Sequence, residues 1–190
     1  NSIKYEIKPY NREEVAEYIS KGLIAARCCG KEEFGARALG NRSILADPRT
    51  LEVKKKINEN VKNRDFWMPF ACSVLDKYAP NYFVLDSQIS CYTTMTLCCR
   101  TTELGSRKLA AAIHPYDETC RPQIVSEEGN PEYYALIKAF GEVTGVFGML
   151  NTSLNFHGSP IVSNLKQAAE VFTKTKLDML ITDNYYVVKI

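Results

Sequence analysis

Four short stretches of this sequence carry residue types suited to holding phosphate. The first is "EFGARALGNRS", residues 33–43, in which Gly35 and Gly40 bracket four residues as the glycines of a P-loop do. Asn41 stands where that loop needs lysine, and the next helix-start signal, Asp47, comes four residues beyond Ser43. These two departures exclude a P-loop and leave a glycine-bounded turn presenting Arg37, Arg42 and Ser43. Guanidinium groups are planar forks matched to phosphate oxygens, and glycine lets backbone approach a ligand closely. The second stretch is Lys62-Asn63-Arg64. In extended chain its two cations would point the same way. The third, "LNTSLNFHGSP" (150–160), offers Asn151, Thr152, Ser153, Asn155 and His157 just after an expected strand, where open α/β sheets place ligands. The fourth, "IHPYDETCRPQIV" (113–125), holds His114, Asp117 and Arg121. No motif sets a serine or cysteine nucleophile beside His114, so it reads as an oriented structural histidine. Taken singly, each stretch also has an ordinary explanation: a surface salt bridge, helix-dipole charges, or a turn rich in local hydrogen bonds.

These residues must be held by alternating helices and strands. Asn11 with Glu14 forms a capping box that opens a helix to about Lys21, and "GLIAARCC" (22–29) reads as a buried strand. Asp47-Pro48 is a cap followed by proline, and Val53, Ile57 and Val61 continue at helical spacing to about 61. "ACSVLD" (71–76) and "CYTTMTLCC" (91–99) read as strands. Asn130-Pro131 opens an amphipathic helix carrying Tyr133, Leu136, Ile137 and Phe140. "VFGML" (146–150) is a strand, Asn164 caps another helix, and "MLIT" and "YYVVKI" close the chain as strands. Residues 1–190 are expected to form one mixed α/β domain, of the α+β layered kind.

Bulk properties narrow the classes. The 190 residues are 45% hydrophobic and 24% charged, an ordinary globular composition. No apolar run approaches the ~20 residues of a membrane span, so no membrane partner is expected. The N-terminus "NSIKYEIKPY" lacks both a secretory apolar segment and an initiator methionine, as a fragment or processed chain would. The seven cysteines form no C-x-x-C pair, which argues against structural zinc and for reduced core thiols in a cytoplasmic protein. Residues 35–64 carry eight Lys or Arg against three acids, in a chain whose net charge is only +2. Such a block marks a local anion site.

In this order the stretches resemble the C-terminal, YrdC-like domain of the NodU/CmcH-type O-carbamoyltransferases. The blocks "EFGARALGNRSILADPR", "KNRDFWMPFAC", "HPYDETCRPQ", "NPEYYALIKAF" and "LNTSLNFHGSPIV" follow that family's pattern over about residues 20–190. The resemblance implies a twisted mixed β-sheet flanked by helices. It also implies ATP-dependent activation of carbamoyl phosphate to carbamoyl-adenylate, with Mg²⁺ and with release of pyrophosphate. Arg37, Lys62, Arg121 and Ser153 would contact carbamoyl phosphate and the adenylate, while Arg42, Ser43, Arg64, Asn151 and Asn155 would complete the pocket. Transfer to a hydroxyl-bearing acceptor would need a separate N-terminal actin-like domain, which this chain lacks. The chain departs from the pattern at Ala36 and Cys72 (prolines there), Met68 (arginine), Glu118 (glycine) and Ser159 (glutamate). Two alternatives stand beside this reading: a basic YrdC-like module binding double-stranded RNA, and a diverged non-catalytic scaffold. A single tryptophan and no aromatic–basic interleaving argue against a nucleic-acid partner.

Overall fold

Three of the helices begin where an asparagine side chain can take up a free backbone N–H. The computed structural model describes residues 3–62, 69–87 and 91–190. Asn11 Oδ1 accepts from Glu14 N ahead of α1 (Arg12–Ser20), Asn130 from Tyr133 N ahead of α5 (Pro131–Thr144), and Asn164 from Gln167 N ahead of α6 (Leu165–Lys174). Gly145, at φ +72°, closes α5 in the left-handed conformation that glycine adopts at least cost.

Among the described residues the main sheet has eight strands: β1 (Tyr5–Pro9), β2 (Ala25–Cys28), β3 (Arg42–Ala46), β4 (Ala71–Leu75), β8 (Gln123–Val125), β9 (Gly148–Ser153), β10 (Met179–Ile181) and β11 (Tyr185–Lys189). Their order is β1-β11-β10-β2-β3-β9-β4-β8, antiparallel except where β10 meets β2 and β4 meets β8. Helices α1 and α5 pack on one face around Leu45, Val74 and Met149, whereas α6 and α2 (Leu51–Ile57) cover the other around Ile44, Leu150 and Val171. A second sheet joins β5 (Phe83–Val84), β6 (Cys99–Thr101) and β7 (Thr119–Cys120), flanked by α3 (Ala79–Tyr82) and α4 (Glu103–Lys108). The mixed sheet between helices is the architecture that the sequence implied.

Several local expectations are corrected. Asp47 does not cap a helix: its carboxylate takes the guanidinium of Arg49 at 2.6 Å and the Arg49 N–H at 2.9 Å. The helix therefore starts later, with Thr50 as its cap, and passes into a π-helical turn at Asn58–Lys62. Lys62 thus lies in a helical turn and not in extended chain, while Arg64 and Met68 fall outside the described residues. The run 91–99 is not a strand: it is irregular up to Cys99, with Met95 at φ +55°. Strand β9 runs through Ser153, so Asn151 and Ser153 belong to the sheet and not to the loop after it. Cys91 and Cys98 are exposed, unlike the other five cysteines, which are buried.

Glu118 also has φ +55°, at the position where the family pattern has glycine. A residue with a Cβ is strained there by ~1 kcal/mol. Glu118→Gly is therefore expected to raise thermal stability by a few degrees, read by calorimetry.

Candidate anion-binding cleft

Strand β9 ends in a row of polar side chains. Successive side chains of a strand alternate between faces, so Met149, Asn151 and Ser153 share the face covered by α1 and α5. Across the sheet, Ser43 is paired with Ser153, Arg27 with Ser43, and Ser73 with both Met149 and Gln123. The loop 33–42 folds back over this polar end of the sheet.

That loop is shaped by bonds that the sequence does not announce. Oε1 of Glu33 accepts from three backbone N–H groups, those of Leu39 (2.7 Å), Asn41 (2.6 Å) and Arg42 (3.2 Å). Arg27, which is buried, donates to Gly40 O at 2.7 Å and Asn41 Oδ1 at 2.9 Å, with its guanidinium over the Tyr133 ring. Ser43 Oγ accepts from Gly40 N at 2.9 Å. Gly40 itself, at φ +118°, lies so close to Tyr133 that a Cβ there would come within 2.3 Å of the ring. Burial pushes the Tyr133 phenol above its ordinary range, while the nearby charge of Arg27 pulls the other way, so it is a neutral wall under the loop. Glu33 and Arg27 are thus positioning residues missed by sequence reading. Their available signal was an acid and a glycine-rich turn with backbone donors in excess.

The cleft has two connected parts. The larger, about 520 Å³, lies between the 33–42 loop and the 155–162 turn, with Arg37, Arg42, Ser153 and Asn155 on its walls. The smaller, about 80 Å³, is bounded by Arg37, Ala71, Arg121, Asn151 and Ser153. Arg37 and Ser153 border both. Arg37 and Arg121 are exposed and make no hydrogen bond or ion pair to a described residue. Lys62 is 1% exposed. Its Nζ donates to Ser153 O at 2.5 Å, Ser153 Oγ at 3.2 Å, Asn155 O at 3.3 Å and Asn155 Oδ1. A cation is therefore built in beneath the strand end, and its partners at Ser153 and Asn155 are carbonyl oxygens and one hydroxyl.

The sequence-predicted residues divide by environment. Arg37, Arg121, Ser153 and Asn155 face the cleft together, with Lys62 behind them. Arg42 borders it, but its guanidinium nitrogens also hold the loop: Nη1 donates to Cys29 O at 2.8 Å and Nη2 to Gly30 O at 2.9 Å. Ser43 is fully buried and closes the turn. Asn151 lies on the floor of the smaller part. His114 lines a neighbouring cavity with Arg121, its Nδ1 3.1 Å from Asp117 Oδ1 but without a hydrogen bond to a described residue. Among the described residues no three His, Cys, Asp or Glu side chains cluster as metal ligands. No helix among them is long and apolar enough to cross a membrane.

This fold is the YrdC-like one. Full-length HypF in its phosphate- and nucleotide-bound form superposes with TM-score 0.61 at 12% identity, over 95% of this chain and 24% of that one. YciO of E. coli gives 0.63 at 18%, over 92% of this chain and 80% of that one. Residues 16–189 match the carbamoyltransferase C-terminus family, and the chain belongs to that family. Nodulation protein NolNO of Sinorhizobium fredii is 41% identical over 92% of this chain and 25% of its own length. The 3'-hydroxymethylcephem-O-carbamoyltransferase of Amycolatopsis lactamdurans is 30% identical over 96% of this chain and 34% of its own length. The chain spans about a quarter to a third of the curated relatives it matches.

Proposed function

We propose that this domain uses ATP to activate carbamoyl phosphate, giving carbamoyl-adenylate, pyrophosphate and, with one water consumed, inorganic phosphate. The observation that carries the reading is the convergence of Arg37, Arg121 and the buried Lys62 on Ser153 at the end of β9. Two polyanions must be brought together in this reaction, and fixed cations offset their repulsion without reorganising during the step. The exposed arginines are the groups with donors to spare, so they take phosphate oxygens. Lys62 holds Ser153 and Asn155 in place and adds a charge that water cannot screen. The larger part of the cleft falls in the size range of small-molecule sites. It would hold the nucleotide, and the smaller part the carbamoyl donor.

No protein nucleophile is needed. Mg²⁺ would ride on the triphosphate, where it supplies charge neutralisation. Glu32 and Glu33 both border the larger part; Glu33 Oε1 is committed to backbone N–H groups, and Glu32 together with Glu33 Oε2 would hold the ion. Transfer of the carbamoyl group to a hydroxyl acceptor would fall to another domain of the longer protein, of actin-like fold.

Calorimetric titration with carbamoyl phosphate tests the binding half of this reading. Binding is expected to weaken with added salt and to fall at least ~10-fold in Arg37→Ala, since one charge-assisted contact is lost. A folded chain that binds neither carbamoyl phosphate nor ATP would contradict it.

A further inference from the structure

The outermost strand of the main sheet carries a sequence complementary to itself. Strand β1 ends the strand order and pairs on one side with β11. Lys4 O accepts from Ile190 N at 3.0 Å, and Tyr10 N donates to Asn184 O at 2.9 Å. Backbone groups along an antiparallel strand turn alternately to its two sides. Lys4, Glu6, Lys8 and Tyr10 therefore face β11, while Ile3, Tyr5 and Ile7 turn their N–H and C=O groups to the open edge. No strand among the described residues takes them up. The same alternation sets the side chains of Ile3, Tyr5 and Ile7 on one face of the sheet and those of Lys4 and Glu6 on the other. Ile3 is 53% exposed and Ile7 68%, and Tyr5 is 43% exposed although it meets the Phe172 ring of α6 edge-on. Soluble proteins ordinarily cover or blunt an edge of this kind. Pro9 blunts only its far end.

We propose that this edge binds a second copy of the chain, β1 against β1, antiparallel about a two-fold axis at Tyr5. In that register the segment Ile3-Lys4-Tyr5-Glu6-Ile7 sets Ile3 opposite Ile7, Lys4 opposite Glu6 and Tyr5 opposite Tyr5. Each outward N–H of the segment then meets an outward C=O. The apolar side chains cover one another on one face, and lysine meets glutamate on the other, where opposite charges across a ladder stabilise it. The neighbouring registers are worse. An axis at Glu6 would set Glu6 against Glu6 and Lys4 against Lys8. An axis at Ile7 would set Tyr5 against Pro9, which has no N–H to give. Lys8 is in any case engaged by Glu14 at 3.1 Å, with Glu6 more distant at 3.6 Å. A contact of this type uses the same edge on both copies, so it closes as a dimer. It involves no residue of the anion-binding cleft.

Sedimentation velocity over a concentration series is the test, run on the wild type, Lys4→Glu and Glu6→Lys. The wild type is expected to pass from monomer to dimer between micromolar and millimolar concentration, as suits a small interface. Either single substitution sets like charges opposite each other at both positions and should weaken the dimer by roughly tenfold or more. Mixing the Lys4→Glu chain with the Glu6→Lys chain restores opposite charges at both positions, and the mixture should associate as the wild type does. Ile7→Pro removes an outward N–H without touching the ladder to β11, and it too should weaken the dimer. A wild type that stays monomeric at every concentration overturns the proposal and leaves the edge to a different partner, such as another domain of the longer protein. A dimer indifferent to the single substitutions, or one that the mixture fails to restore, overturns it as well.

Discussion

Lys62→Met is expected to reduce carbamoyl phosphate-dependent pyrophosphate release by about 10²–10³-fold, the scale of one lost preorganised donor at a reacting anion. Methionine keeps the length and burial of the side chain and removes the charge. In the wild type, Lys62 Nζ holds Ser153 Oγ, at 3.2 Å, and Asn155 together, both on the wall of the larger part of the cleft. Without it, Ser153 O and Asn155 O lose a buried donor, and the cleft loses a cation placed 1% exposed beneath it. The loss should appear mainly in kcat, because Lys62 lies behind the exposed arginines that first take the anion. A thermal melt separates the two effects: stability should fall by ~1–3 kcal/mol from the stranded carbonyls, leaving the variant folded at assay temperature. Undiminished turnover in folded Lys62→Met would remove Lys62 from the site.

The second large effect is structural. Gly40→Ala is expected to destabilise the fold by about 3–4 kcal/mol, from a strained backbone and an overpacked core together. At φ +118° the alanine is strained wherever it stands, and its Cβ would meet Tyr133 Cδ1 at 2.3 Å. Tyr133 is fully buried at the foot of α5 and cannot retreat. Gly35→Ala is the control. Gly35 has a similar φ of +112°, but a Cβ added there would meet nothing within 4 Å, so it should show the backbone strain alone. Melting temperatures should therefore drop by roughly 10 °C for Gly40→Ala and by much less for Gly35→Ala. Equal drops would mean that the contact with Tyr133 is not what fixes Gly40.

Much of the fold was legible because its local signals are redundant. The cap-plus-proline at Asn130-Pro131, the apolar stripe of α5 and the Asn164 cap each point to one outcome, and the structure agrees with them. Strand β3 was not legible. It begins with Arg42 and Ser43, both buried, and runs into Asp47-Pro48, a dipeptide that mimics a helix start. Arg49 decides the matter by taking the Asp47 carboxylate, an interaction that propensity does not encode. The run 91–99 misled in the opposite sense. Its threonines favour strands, but the run makes no ladder: Ile124 N of β8 donates to Tyr92 O at 2.8 Å and no further strand pairing is formed by residues 91–98 among the described residues.

The candidate site was legible as a set of residue types and not as a division of labour. Arg37, Arg121 and Ser153 come together as the motifs implied. Sequence alone does not tell an exposed guanidinium, ready for a ligand, from one such as that of Arg42, which also holds backbone carbonyls. Nor does it reveal that Glu33, an acid in an anion site, carries out a backbone task by accepting from three N–H groups. Burial sets those roles, and burial of a polar side chain follows from tertiary contacts more than from its own type.

The central claim is tested most directly by measuring pyrophosphate released from ATP by the purified protein, with each reactant omitted in turn. The account predicts release only when ATP, Mg²⁺ and carbamoyl phosphate are all present, lowered about 100-fold in Arg121→Ala. Release that is indifferent to carbamoyl phosphate, or none from a folded protein even with an actin-like carbamoyltransferase domain supplied, would contradict it.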